Sequence, residues 1–203
     1  DWNLSNNYLM NRDPSNDKFW ITITGLNNHP SDDFLYQYVV DAEINVADPY
    51  SDLVIDPFND PFIDNTVFPN IPSYPEDKTT ELITWVRLNQ PEYQWQVPNF
   101  QRPDQDELVV YELLIRDFDA AHTFDAVVNR LDYLEDLGIN AIELMPVNEF
   151  DGNISWGYNP ALHGALDKYY GTPEDFKNFV DECHLRGIAV IVDVVYNHAT
   201  GQN

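Results

Sequence analysis

The fold of this chain is most constrained by an apolar run, Ile188 to Val192, followed at once by Asp193-Val194-Val195-Tyr196-Asn197-His198. An uninterrupted apolar run is typical of a parallel strand that is buried on both faces. Ligands bind at the carboxyl ends of such strands, in open sheets as in (β/α)8 barrels. The carboxylate of Asp193, the amide of Asn197 and the imidazole of His198 therefore lie at the expected ligand-binding edge. Alternation puts Ile191 and Asp193 on one face, so we predict that Asp193 caps an interior row. The alternative is a structural Asp-His hydrogen bond at the strand end.

The acidity of the chain limits its partners. Its 203 residues include 35 Asp and Glu against 10 Lys and Arg, a formal net charge of -25. Such a charge repels nucleic acid and anionic membranes, so we predict neither as a partner and expect a neutral or cationic ligand; a gain in solubility is the alternative explanation. The only cysteine, Cys183, excludes an intramolecular disulfide. It leaves the compartment undecided, with a secreted or periplasmic location slightly favoured.

Two sequence patterns divide the chain near residue 100. Residues 1–97 carry aromatic and β-branched runs between turn signals such as Gly25-Leu26-Asn27-Asn28, which predicts an all-β unit. The predicted strands are Phe19–Thr24, Leu35–Val40, Leu82–Leu88 and Tyr93–Val97. Eight of the 14 prolines and no glycine lie between Pro57 and Pro103, which indicates an extended stretch with a late strand or two. Residues 98–107 have the composition of a linker.

Residues 108–203 alternate between strand and helix patterns, which predicts right-handed parallel crossovers. The predicted strands are Leu108–Ile115, Ile139–Met145 and Ile188–Val192. Apolar residues at helical spacing predict one helix over Thr123–Leu137, ended by Gly138. A second helix is predicted to begin at Thr172-Pro173-Glu174-Asp175, which offers a cap, a first-turn proline and first-turn acids, and to end at Gly187.

The connection from Pro146 to Gly171 has 26 residues, whereas strand-to-helix loops usually have about two to six. Aromatic faces lie beside amides and carboxylates in it, which suits a sugar with its C–H patches and hydroxyl groups. The aromatic residues are Trp156, Tyr158, Tyr169 and Tyr170, and the hydrogen-bonding residues are Asn148, Glu149, Asp151, Asn159 and His163. The alternative is that the aromatic residues only pack the loop on the rim of the sheet. Tyr158, between glycine and asparagine, is the best functional candidate.

These segments together resemble the alpha-amylase superfamily of glycoside hydrolases, family 13. The matching segments are Val110–Phe118 (first barrel strand), Gly138–Val147 (second strand), Trp156–Pro160 (the loop after it) and Asp193–His198 (the first conserved region). The upstream segments resemble the immunoglobulin-like module that precedes the barrel in branching enzymes, isoamylases and pullulanases. They are Asp1-Trp2, Phe19–Ile23, Tyr36–Asp41 and Ala47–Tyr50.

The resemblance implies a multidomain β plus α/β fold. Residues 1–97 would form an immunoglobulin-like β-sandwich module, truncated at its N-terminus, that includes the extended proline-rich segment. After the linker at 98–107, residues 108–203 would supply the first three strands of an incomplete (β/α)8 TIM barrel. Unpaired strand edges at Val109–Leu114 and Ala189–Val194 would then favour self-association of the chain. A doubly wound open sheet is the rival fold, but the chain lacks a glycine-rich phosphate turn.

The resemblance also implies a retaining glycoside hydrolase that acts on starch, glycogen or pullulan-type α-glucans. In this family an Asp on the fourth barrel strand is the nucleophile and a Glu on the fifth is the general acid/base. Both would lie beyond Asn203, so we assign no catalytic residue here and expect the chain by itself to be inactive. A branching or other transglycosylating enzyme is the nearest alternative. A non-catalytic glucan-binding protein with a degenerate barrel is an alternative of another class.

Substrate-positioning residues carry over from the family by position. Tyr158 would stack on the sugar at the cleavage subsite, and His198 would hydrogen-bond the hydroxymethyl oxygen of that sugar. Asp193 would brace the site through an arginine on the fourth strand. Trp156, in the same loop as Tyr158, is the further substrate-binding candidate.

Two other positions bear on the same site. Asn197 matches a position that ligates calcium in many alpha-amylases. Relatives with an N-terminal module often dispense with this ion, so the resemblance implies no required cofactor and allows calcium. His163 stands where relatives often carry an aromatic residue, and this departure concerns the outer edge of the subsite.

Overall fold

The computed structural model describes Trp2, residues 8–26 and residues 32–200 of the chain. Before residue 100, the described part forms short antiparallel strands. They are β1 (Asn11–Asp13), β2 (Lys18–Trp20), β3 (Asp33–Tyr36), β4 (Tyr38–Val40), β5 (Ile44–Val46), β6 (Val54–Ile55) and β7 (Ile83–Arg87). β1 pairs with β2, β4 pairs with β5, and β7 lies between β3 and β6 in a three-stranded sheet. The all-β pattern is confirmed for this region, while the immunoglobulin-like sandwich stays a prediction.

Two of the predicted N-terminal strands differ in detail from the structure. The strand predicted over Leu35–Val40 is two strands, β3 and β4, which pair in different sheets. The strand predicted over Phe19–Thr24 ends at Trp20, while the one predicted over Leu82–Leu88 is confirmed as β7. The turn predicted at Gly25-Leu26-Asn27-Asn28 lies partly outside the described residues.

A three-stranded parallel sheet organises the C-terminal half, as the sequence predicts. Its strands are β8 (Val110–Leu113), β9 (Ala141–Leu144) and β10 (Ala189–Val192), with β9 in the middle. Tyr111, Ile142 and Val190 are partners in the register and pack into the largest hydrophobic cluster. Because side chains alternate along a strand, Ile191 and Asp193 project from the opposite face. Asp193 therefore lies on the face of the sheet opposite the helices, as the alternation predicts, while the interior row of a barrel on that face stays a prediction.

The first crossover contains two short helices where the sequence predicts one helix over Thr123–Leu137, and a further short helix precedes them. The helices are α1 (Ile115–Phe118), α2 (Phe124–Val128) and α3 (Leu131–Asp136). Thr123 caps α2 by accepting a hydrogen bond from the backbone N–H of Ala126 at 3.2 Å. Arg130, before α3, has a non-helical backbone (φ -114°, ψ 3°). The prediction of one helix is wrong. It arose because the apolar spacing continues across the break: Phe124 and Leu131, on either side of it, are both fully buried.

The second crossover helix, α4 (Pro173–Leu185), begins where the sequence predicts. The Thr172 hydroxyl accepts from the Asp175 N–H at 3.1 Å, and the Asp175 carboxylate accepts from the Thr172 N–H at 2.8 Å. This capping box satisfies N–H groups that the first turn leaves free. The strand predicted over Tyr93–Val97 is wrong, because the N–H groups of Gln96 and Val97 donate instead to the buried Asp181 carboxylate of α4 at 2.8 and 3.1 Å.

Buried side chains connect the two halves of the chain. One cluster joins three residues from before the predicted linker with three from the long loop after β9, namely Ala47, Val54, Leu82, Ala161, Leu162 and Ala165. Another lies between the parallel sheet and its helices. The first cluster makes the N-terminal strands a support for the long loop. None of the helices in the described ranges is long and apolar enough to cross a membrane.

Candidate functional site

Two loops meet at the carboxyl end of the parallel sheet. The Tyr158 hydroxyl, from the long loop after β9, donates to Oδ2 of Asp193 at 2.7 Å. Nε2 of His198 contacts the Tyr158 carbonyl oxygen at 3.0 Å, and the Thr200 N–H donates to the Pro160 carbonyl at 2.8 Å. The structure thus brings Tyr158 together with Asp193 and His198, which follow it by 35 and 40 positions along the chain.

The phenol of Tyr158 is fixed as a hydrogen-bond donor. Its hydrogen bond to the Asp193 carboxylate, and then burial, raise the pKa of Tyr158 to about 12. Deprotonation would place two negative charges side by side, so the hydroxyl keeps its proton at physiological pH. The residue as a whole is 39% exposed. One edge of Tyr158 is therefore anchored while part of its surface stays open to a ligand.

The proton position on His198 follows from its partners. A carbonyl oxygen only accepts hydrogen bonds, so Nε2, which faces the Tyr158 carbonyl, carries the proton. Nδ1 of the neutral ring is then an acceptor, and it lies 3.2 Å from the side-chain oxygen assigned to Asn197. Rotating that amide by 180° turns its NH2 group toward Nδ1 and makes the contact a hydrogen bond. Nδ1 is thus the acceptor nitrogen of His198, and its partner is the exposed side chain of Asn197.

Asn197 is the residue that the family resemblance links to calcium. Calcium takes six to eight oxygen ligands, with carboxylates prominent among them. In the part of the chain that the structure describes, no group of three or more His, Cys, Asp or Glu side chains is placed to hold a metal ion. The amide of Asn197 instead faces the His198 ring. Calcium binding at Asn197 stays a prediction.

Trp156 lies on the same loop and is 61% exposed. Ser155 donates to the Asn159 side chain and accepts from the Gly157 N–H, which ties both ends of this turn together. Gly157 has φ +88°, and a Cβ there would lie 2.3 Å from the Pro146 carbonyl oxygen. Only glycine allows this approach, so Gly157 holds the Trp156–Tyr158 segment against the end of β9.

Several loop residues predicted to face a sugar instead hold the loop in place. Glu149 is buried, and one of its oxygens, Oε1, accepts from Nζ of Lys168 at 2.7 Å. The Asn148 side chain donates to the His163 carbonyl at 2.6 Å. Tyr170 is 1% exposed and packs against Phe124 and Phe150, which confirms the rim-packing alternative for this residue.

Two carboxylates near the site were missed by the sequence interpretation. Glu112 and Glu143 are partners across β8 and β9. Their neighbours Leu113 and Leu144 are buried in the cluster beneath the helices, so the two glutamates project from the opposite face, as Asp193 does. Both contribute to the raised pKa of Tyr158. The signal was available in the sequence, because alternation from the apolar residues places each Glu on the same face as Asp193.

A model of the alpha-amylase catalytic domain matches residues 73–203. The chain belongs to the alpha-amylase family. The match begins upstream of the linker predicted at residues 98–107, which agrees with the buried cluster that joins the two halves. The boundaries predicted for the N-terminal module and the linker stay predictions.

Curated relatives and solved structures agree with this family assignment. The chain is 35% identical to the malto-oligosyltrehalose trehalohydrolase of Saccharolobus solfataricus, over 94% of this chain and 29% of the relative. It is 38% identical to a 1,4-alpha-glucan branching enzyme of Photobacterium profundum, over 57% of this chain and 18% of that enzyme. The pullulanase SAP of group B Streptococcus in complex with maltotetraose superimposes with a TM-score of 0.59 and 25% identity, over 81% of this chain and 24% of the other. The chain thus has an alpha-amylase-like fold and spans less than a third of each of these relatives.

Proposed function

We propose that this chain is part of a retaining glycoside hydrolase that acts on α-glucans, with the nucleophile and the general acid/base located beyond Asn203. One observation carries the proposal. In a chain of the alpha-amylase family, the hydroxyl of Tyr158 is hydrogen-bonded to the Asp193 carboxylate and its backbone carbonyl to the His198 imidazole, at the carboxyl end of the parallel sheet. Ligands of parallel α/β folds bind at this edge.

The contacts give each residue a role in the proposed subsite. The open face of Tyr158 would stack on the C–H surface of the sugar, and its hydroxyl is held by Asp193. Nδ1 of His198 would accept from the hydroxymethyl group of that sugar in place of the Asn197 amide, because Nε2 already donates to the Tyr158 carbonyl. Trp156, which is exposed on the same loop, would supply a second apolar face to the sugar. The neutral character of a glucan suits a surface with a net charge of -25.

A transglycosylating enzyme is the second candidate. The observation in its favour is the match to a branching enzyme over 57% of this chain. Both activities share a covalent glycosyl-enzyme intermediate, which water intercepts in a hydrolase and a sugar hydroxyl intercepts in a transferase. A non-catalytic glucan-binding protein would instead lack the carboxylates on the fourth and fifth barrel strands. Product profiles of the intact protein on starch, glycogen and pullulan would separate the three possibilities.

The subsite is tested by Tyr158→Ala and His198→Ala in the intact protein. Each change should lower kcat/KM on an α-glucan by about tenfold or more, which corresponds to at least ~1.4 kcal/mol of transition-state stabilisation. Tyr133→Ala is the matched control, because Tyr133 is exposed on α3 and lies outside the loops of the site. Unchanged kinetics in both subsite variants, with folding intact, would refute the assignment and favour a structural role for these residues.

A further inference from the structure

We propose that His163 is a positioning residue for the glucan subsite and acts through His198. This inference rests on the proposed function, and it assigns a role to a position where the sequence departs from the aromatic residue common in the family. The contact that carries it is specific: Nε2 of His163 lies 2.9 Å from the backbone carbonyl oxygen of His198. Because that oxygen only accepts, Nε2 of His163 is the donor.

His163 is attached to a rigid part of the molecule. Its backbone carbonyl accepts from the Asn148 side chain at 2.6 Å. Its neighbours Leu162 and Ala165 are buried at 3% and 0% exposure in the cluster that joins the long loop to the N-terminal strands. Gly164, between them, lets the chain approach the Ser51 carbonyl, since a Cβ there would lie 3.1 Å from that oxygen. The imidazole of His163 therefore extends from a fixed base.

The segment that His163 contacts has weaker support of its own. Tyr196 is 68% exposed, and Asn197 and His198 are also exposed. The His163 ring meets the Tyr196 ring edge to face, with centroids 5.6 Å apart, and its Nε2 holds the His198 carbonyl. His198 is thus held at two points, its backbone by His163 and its ring by the Tyr158 carbonyl.

A phenylalanine at position 163 could reproduce the ring contact with Tyr196 but could not donate to the His198 carbonyl. The hydrogen bond is therefore what histidine adds at this position. Catalysis depends on groups held close to the productive geometry, and small displacements lower the rate more than they lower ground-state binding. We infer that the donor on His163 fixes the place of the His198 imidazole relative to the sugar ring on Tyr158.

The test uses the intact enzyme and three variants. His163→Phe keeps a ring and removes the donor, whereas His163→Gln keeps an N–H donor of similar reach. His184→Phe is the matched control, because His184 stacks on Phe100 at 3.9 Å at the far end of α4 and phenylalanine retains that stacking. We expect His163→Phe to lower kcat about tenfold with KM changed less than about threefold, His163→Gln to recover most of the loss, and His184→Phe to match the wild type.

A double-mutant cycle with His198→Ala distinguishes positioning from general stabilisation. If His163 acts through His198, His163→Phe should cost little more than about twofold once His198 is absent. An undiminished loss in that background, or a wild-type kcat for His163→Phe in the first place, would overturn the inference. If His163→Phe does not fold, His163→Asn takes its place, since its shorter side chain cannot reach the His198 carbonyl.

A second measurement separates this inference from the proposed function. The side-chain 15N resonances of His198 report its hydrogen bonds without any substrate. They should shift in His163→Phe and return toward the wild-type positions in His163→Gln. Absence of glucan activity in the wild-type enzyme would refute the proposed function but leave this result in force. Identical His198 resonances in the wild type and His163→Phe would refute the positioning role even in an active enzyme.

Discussion

Replacing Lys168 by methionine should destabilise the protein strongly, because Lys168 is the cation in a buried group of carboxylates. Its side chain is 0% exposed, and Nζ lies 2.7 Å from Oε1 of Glu149 and 3.2 Å from Oδ1 of Asp60. Asp167 is also buried and accepts from the N–H groups of Tyr169 and Phe150. The ion pair between Lys168 and Asp60 joins the N-terminal half of the chain to the long loop after β9.

The magnitude follows from these distances. At an effective dielectric constant of about 20, the two attractions amount to roughly 6 kcal/mol for Glu149 and roughly 5 kcal/mol for Asp60 before the cost of desolvation. Removing one partner of a buried ion pair typically costs about 3–5 kcal/mol, because the remaining charge is left uncompensated. We expect Lys168→Met to lower the free energy of unfolding by about that amount near neutral pH. Glu149→Gln in the same variant should recover part of the loss, since it removes one of the negative charges that lose their cation.

The loss should depend on pH with a definite sign. Burial raises the pKa of Asp167 to about 7, and burial also raises the pKa values of Glu149 and Asp60. Carboxyl groups whose pKa is higher in the folded state take up protons on folding, so their contribution to stability grows as the pH falls from about 7 toward the unfolded values. Without Lys168 these pKa values rise further. The difference between Lys168→Met and the wild type should therefore be larger at pH 8 than at pH 5.5.

Urea unfolding of the intact protein at these two pH values measures the effect. Lys78→Met is the matched control, because it removes the same charge from an exposed side chain. We expect the control to stay within about 0.5 kcal/mol of the wild type. If Lys168→Met were as stable as Lys78→Met at both pH values, the buried cation would not be compensating the carboxylates, and the argument would fail.

Three other predictions follow from the structure and the family. Thr172→Ala removes the hydroxyl from the capping box of α4 and should lower the stability of the intact protein by about 1 kcal/mol, whereas Thr172→Ser should retain it; equal thermal unfolding of the two variants would contradict this. The 203-residue chain alone should release no reducing sugar from any α-glucan above the buffer control, and turnover abolished by changing a carboxylate within the chain would overturn the placement of the catalytic acids beyond Asn203. The same chain should be marginally stable or self-associate through the outer strands β8 and β10, as sedimentation equilibrium would show; a cooperative soluble monomer would contradict this.

The sequence by itself determined the parallel sheet and the start of its second crossover helix. Apolar alternation indicates which face of a strand packs against the helices, and this rule placed Asp193 correctly on the opposite face. The capping box at Thr172 and Asp175 is equally local, because both partners lie within one turn of helix. Such features depend on neighbours two to four positions away, so a single sequence contains all the information that specifies them.

Only the tertiary structure decided what each of the other polar residues contacts. Periodicity shows that a position is buried but not which group it meets there. Glu149 was predicted to face a sugar, yet it pairs with Lys168, which also reaches Asp60, 108 positions earlier in the chain. Tyr93–Val97 has the composition of a strand, but two of its backbone N–H groups donate to the Asp181 carboxylate of α4. These partners are brought together by chain packing, and a buried charge or N–H group must find a partner wherever that packing supplies one.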